Sequence, residues 1–199
     1  MKTYEMELDE MIDVVVKLIW NHTIIRGLFE KKDAAREVKE CEARRSHPQF
    51  FVTMQDSLLC SFFVGADMLF HNTKEAATSL PNLIKDFERL KPELAKQLNE
   101  KIYTERNLIL IKKIGILRNQ ACAHRWEAKT PQQVFAEAGV QLNMMKEITE
   151  LAQFIISELA EEAGGNRREK MEKHQLDKET LQFITDDAGR VMNAFVETL

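Results

Sequence analysis

Residues 107–124 read NLILIKKIGILRNQACAH. The first eleven of them, NLILIKKIGIL, are apolar and β-branched enough to make a strand, so reading them as strand or helix decides the fold class. The flanks decide it. PELAKQLNEK before and RNQACAH after are good helix formers without turn residues, so one helix is expected from Pro92 to about Cys122.

The same periodicity extends in both directions. A first helix is expected from about Thr3 to Phe29, with Leu8, Met11, Ile12, Val15, Leu18, Ile19, Ile25 and Leu28 on one stripe. The charged stretch KKDAAREVKECEARR follows as a solvated extension or connector. A second helix is expected from Pro48 to about Leu69, where Ser57, Ser61 and Gly65 recur every four residues and permit close approach of another helix. A linker leads to a short helix near 81–90. Downstream, Thr130-Pro131-Gln132-Gln133 offers an N-cap, a first-turn proline and a capping-box Gln. The helix it opens runs to about residue 162, with a break at Gly139, and Gly164 stops it. Asp177 can cap a last helix carrying Leu181, Ile184, Ala188, Val191, Phe195 and Leu199. The expectation is an all-α bundle of five to six helices with no sheet, in a single domain over 1–199.

Composition narrows the function. The 199 residues are 44% hydrophobic and 30% charged, with 7 Gly, 4 Pro and a net charge of −4. Such a chain folds around a sizeable core, and its overall charge does not favour a polyanion. The start MKTYEMELDE is acid-rich, unlike a secretory signal. The most apolar run, residues 57–70, is too short to cross a bilayer and holds Asp67. Cys41, Cys60 and Cys122 form no CxxC pair, which fits reduced thiols in a cytoplasm. No Gly-rich phosphate loop, HExxH, nucleophile elbow or Glu-x-x-His pair occurs. No metal and no cofactor are expected.

The chemistry concentrates at Arg118, Asn119 and His124. Residues 101–130 hold seven basic side chains against Glu105 and Glu127, in a chain that is acidic overall. A phosphate-bearing ligand is drawn here first. Arg118 offers a planar fork of donors to a phosphate whose charge grows in a transition state. His124 can give or take a proton near neutral pH, and Asn119 can orient a phosphate or hydroxyl. These residue types suffice for RNA cleavage through a ribose 2′-hydroxyl. Lys112, Lys113, Arg125 and Lys129 flank them as contacts for the RNA backbone. On a regular helix, however, His124 sits about 120° round from Arg118 and about 9 Å along the axis. Either the helix breaks before His124, or two protomers share the site.

A helical bundle with an Arg-polar-(four residues)-His signature late in its third long helix resembles the HEPN superfamily (higher eukaryotes and prokaryotes nucleotide-binding). RNQACAHR, the capped helix soon after it and the linker HNTKEAATSLPNLI are similar to the U-type abortive-infection branch, over roughly residues 1–163. The resemblance implies a HEPN-like core at 1–163, with 177–199 as an additional C-terminal helix. It also implies a metal-independent endoribonuclease of toxin or phage-defence type, held by an antitoxin or other regulator. Such proteins act as homodimers whose two motifs face one cleft, with Arg118, Asn119 and His124 as the active residues. One related group is silenced at a Tyr two residues after the His; Trp126 stands there in this chain. Other members of the superfamily use the fold only as a scaffold that binds a protein, nucleotide or nucleic acid.

The same residues also fit structural roles. Arg118 lies on the stripe Leu108, Ile111, Gly115, Cys122, where an Arg that snorkels or pairs with an acid is equally at home. His124 fits a helix C-terminus. His22 is expected in the core or an interface, and His47, His71 and His174 in solvent. Trp20 and Trp126 are expected to pack, and residues 167–173 to form a solvated connector. The angular mismatch between Arg118 and His124 predicts a two-fold dimer with both RNQACAH segments near the axis. Light scattering at micromolar concentration should therefore give twice the chain mass of 23.1 kDa. A strictly monomeric species would remove the composite site.

Overall fold

The computed structural model describes residues 3–29, 45–71, 79–123, 131–139, 141–164 and 167. Among the described residues there are seven α-helices, one π-helical turn and no strand, so the fold is an all-α bundle. The helices are α1 (Tyr4–Phe29), α2 (Pro48–Phe70), α3 (Leu80–Phe87), α4 (Pro92–Ile102), α5 (Glu105–Leu117), α6 (Pro131–Glu137) and α7 (Leu142–Ala163), with the π-helical turn at Arg118–Ala123. The connector at 30–44 and the expected helix at 177–199 lie outside the described residues.

The expected stripe on α1 is buried from Leu8 to Ile25, facing Phe62, Phe63 and Leu69 of α2 and Ile148, Ile155 and Leu159 of α7. Ile114 and Leu117 of α5 close the same core. Phe62 and Phe63 meet edge to face at 5.4 Å between centroids, and Phe63 lies 5.5 Å from Phe135 of α6. Adjacent aromatic rings on one helix can both be buried because α2 is covered on two sides. His22 is buried beside Phe62, as expected of a core histidine.

Four contacts show the helix directions. Asn21 donates to Ser61 Oγ at 2.9 Å, and a Cβ built on Gly65 would lie 3.8 Å from Leu18 of α1. Helices α1 and α2 are therefore antiparallel. Arg167, just beyond α7, pairs with Asp9 near the start of α1 at 3.1 Å, so α1 and α7 are antiparallel too. Arg106 in the first turn of α5 pairs bidentately with Glu147 near the start of α7, at 2.6 and 3.0 Å, and its charged form is stabilised by that carboxylate. One end of the bundle thus gathers the start of α1, the end of α2, the end of α5 and the end of α7. Ser61 and Gly65 of the small-residue row face α1 of the same chain.

The single helix expected from Pro92 to Cys122 is two helices and a π-helical turn. Thr104 interrupts it: its hydroxyl accepts the Asn107 N–H at 3.3 Å, while the Asn107 amide donates to the Lys101 carbonyl at 2.7 Å. Side chains replace backbone bonds across the break. The chain turns there, and α5 packs onto α2 and α7 instead of prolonging α4. The expected break at Gly139 is present, with φ at +60°, and Gly164 ends α7 with φ at +69°. Both angles favour a residue without a Cβ. Tyr4 stacks on Phe87 at 5.7 Å and ties the start of α1 to α3; burial pushes its hydroxyl up to about 12.

No helix among the described residues is long and apolar enough to cross a membrane. Phe62 is fully buried at the centre of the aromatic cluster. Phe62→Ala should therefore cost about 3–5 kcal/mol of stability, seen as a lower denaturation midpoint in urea, whereas Leu90→Ala at an exposed turn should change it little.

Candidate functional site

The end of α2 carries Asp67 and, four residues on, His71. Asp67 is the sole charged residue between 57 and 70. Its side chain is only 16% exposed, so it is largely withdrawn from water and requires a cation. Helix α5 supplies one. Gly115 sits against the carboxylate, where a Cβ would come 3.4 Å from Asp67 Oδ1. The missing side chain lets the two helices approach, and the next residues bring Arg118 alongside: its Nε lies 3.6 Å from Asp67 Oδ2.

At Arg118 the α-helix widens. Its backbone N–H is shared between the carbonyls of Ile114 and Gly115, and Arg118–Ala123 forms the π-helical turn. Such turns recur at functional sites because the wider spacing re-aims side chains. The spacing of a regular helix consequently does not apply over Arg118–Ala123. Arg118 Nη1 donates to Asn119 Oδ1 at 2.7 Å, so the guanidinium is held on one side by Asp67 and on another by its neighbour. The side chain remains 43% exposed. A partly desolvated, clamped and accessible guanidinium is suited to bind a phosphate.

The second oxygen of Asp67 serves a histidine. His71 Nδ1 lies 3.8 Å from Asp67 Oδ1, and the imidazole is 51% exposed. His71 is solvated, as expected, and also stands beside the carboxylate that Arg118 approaches. Asp67 was legible in the sequence only as a charge in an apolar run. That signal, a lone carboxylate on a buried helix, already called for a partner, but could not say which.

The remaining expected residues divide clearly. Arg118 and Asn119 are together. Lys112 is exposed and Lys113 half-buried on α5. His124, Arg125, Trp126 and Lys129 lie outside the described residues. Cys122 is half-buried and packs against the core, while Leu108 on the stripe of Arg118 is exposed. The expected structural alternative, an Arg paired with an acid, also fits the Asp67 contact. Among the described residues no three His, Cys, Asp or Glu side chains are grouped to hold a metal ion. No family model, no curated protein and no solved structure matches the chain.

The two roles of the Asp67–Arg118 pair differ in energy. A partly exposed pair at 3.6 Å is worth about 1 kcal/mol or less, because water screens it and two side chains are ordered. A double-mutant cycle of Asp67→Asn with Arg118→Gln should give a coupling of that size in urea melts. A coupling above about 3 kcal/mol would make the pair a pillar of the fold instead of a device for aiming Arg118.

Proposed function

We propose that this protein is a metal-independent endoribonuclease of defence or toxin type, a HEPN-like homodimer working in a cytoplasm. The observation that carries this reading is the clamped, accessible Arg118 beside Asn119 on a widened helical turn, in the locally basic strip of an acidic chain. The substrate's own 2′-hydroxyl is the nucleophile. His124 removes its proton, the oxygen attacks the adjacent phosphorus, and the Arg118 guanidinium stabilises the charge that grows on the phosphorane. Asn119 accepts from one edge of that guanidinium and leaves the outer edge for phosphate oxygens. Lys112 and Lys113, with Arg125 and Lys129 further along the strip, bind the flanking backbone. A second copy brings another motif to the same cleft, and an antitoxin or regulatory partner holds the activity in check.

A second reading has its own support. Val64 and Met68 on α2 and Leu108, Ile109 and Ile116 on α5 are exposed. An apolar face of this kind suits a non-catalytic module that binds a partner protein, nucleotide or nucleic acid.

Incubation of the pure protein with RNA in excess EDTA separates the two. Cleavage should proceed, leaving 2′,3′-cyclic phosphate and 5′-hydroxyl ends, and RNA with 2′-O-methyl groups at the cut sites should survive. Arg118→Lys should lose at least about 100-fold in rate although the charge is kept, since a point charge does not replace a planar fork. His124→Ala should be inactive with an unchanged melting temperature. Cleavage of methylated RNA, or wild-type rates from His124→Ala, would overturn the mechanism, and absence of any cleavage would leave the binding module.

A further inference from the structure

Helix α5 is more apolar than its core face requires. Of its 13 residues, ERNLILIKKIGIL, Leu110, Ile111, Ile114 and Leu117 pack into or against the core. Leu108, Ile109 and Ile116 do not; they are 45, 56 and 43% exposed. At about 100° per residue, Leu108, Ile109, Lys112 and Ile116 fall within an arc of about 100°, on the side away from Ile114 and Leu117. Glu105 opens this stripe, and the steps from it to Ile109, Lys112 and Ile116 are four, three and four residues. That alternation is the seam of a helix that packs along another helix. We propose that this face of α5 docks an acidic amphipathic helix of a partner protein.

The charges on the helix select the partner. From Arg106 to Ala123 the chain holds Arg106, Lys112, Lys113 and Arg118, with neither Asp nor Glu. Two of these cations are already matched, Arg106 by Glu147 and Arg118 by Asp67. Lys112 and Lys113 make no ion pair with a described residue. Lys112 is exposed in the middle of the stripe, and Lys113 is half-buried beside it. A carboxylate in the partner's own apolar seam, set opposite Lys112, completes both the surface and the charge. The aliphatic side chains around it exclude water, which strengthens the pairing, and a single charged seam position fixes the register of the two helices.

Other occupants fit less well. Single-stranded RNA binds through stacking of its bases on aromatic rings or guanidinium planes, which Leu108, Ile109 and Ile116 do not offer. A second copy of the chain would place the patch on itself about a two-fold axis. Lys112 lies midway between Ile109 and Ile116, so the Lys112 and Lys113 side chains of both copies would crowd together at that axis, and like charges opposed across an interface are costly. An acidic helix meets the same lysines with the opposite sign. Under the ribonuclease reading such a partner covers two lysines assigned to the RNA backbone, so partner and RNA exclude each other there. The docking itself does not depend on RNA cleavage.

The test uses the full chain and two fluorescein-labelled peptides of about 20 residues, long enough to hold a helix. Both carry Leu at four-three spacing; one has Glu in the seam and on its flanks, the other Lys at the same places. Fluorescence anisotropy should give the Glu peptide a dissociation constant on the order of 10 µM, rising with added salt, and should show no binding of the Lys peptide. Lys112→Glu combined with Lys113→Glu should weaken the Glu peptide at least about tenfold and admit the Lys peptide, a gain that misfolding does not produce. Ile109→Ser should weaken the Glu peptide by a similar factor and, because Ile109 is exposed, should melt as wild type does. Equal binding of both peptides to the wild-type protein, no binding of the Glu peptide at about 100 µM, or indifference to the charge reversal would overturn the proposal. A labelled oligouridylate whose binding falls with Ile109→Ser would overturn it in favour of a nucleic-acid site. A dimer that Ile109→Ser reduces to monomers would overturn it in favour of a contact between copies. RNA cleavage enters none of these readouts, so failure of the ribonuclease reading is seen separately.

Discussion

A carboxylate on a mostly buried helix face must be neutralised, and Asp67 meets that demand in a way that organises one end of the bundle. It is the lone charge in an apolar run, held against α5 where Gly115 leaves room for it. The pair it makes with Arg118 is partly exposed and contributes about 1 kcal/mol or less, so its effect is on direction more than on stability. The solution draws Arg118 to one oxygen and His71 to the other. Burial of apolar faces sets α5 against α2, and this one carboxylate then aims the guanidinium and stands beside the imidazole.

The rest of the molecule packs behind that end. Helices α1, α2 and α7 bury a continuous set of large side chains, and α5 closes it through Ile114 and Leu117. The change from α to π winding begins only after Leu117, the last fully buried residue of α5. Irregular winding thus falls on the part of the segment that carries Arg118 and Asn119, and Cys122 at its far side still packs against the core. The arrangement places the altered geometry where chemistry is proposed.

Much of this was legible beforehand. The stripe on α1 appears in the core as expected, because a 3.6-residue period needs no tertiary information to be recognised. Pro48, Pro92 and Pro131 stand at helix starts, and Gly139 and Gly164 at helix ends, because their backbone preferences are local. The run NLILIKKIGIL is helical as its flanks required. The break at Tyr103–Thr104 was missed: a Thr at an N-cap and a Thr inside a helix look alike until the packing of α5 on α2 and α7 decides between them.

What the sequence determined by itself was the all-helical class, most helix boundaries, the core face of α1 and the pairing of Arg118 with Asn119 on one segment. Each depends on residues within a few positions of one another. What only the tertiary structure decided was the meeting of residue 67 with residues 115 and 118, and with it the membership of Asp67 and His71 in the candidate site. Helices far apart in the chain are brought to one seam by burial of apolar faces, which is non-directional. Their register emerges only when Gly115, Asp67 and Arg118 are fitted together in space.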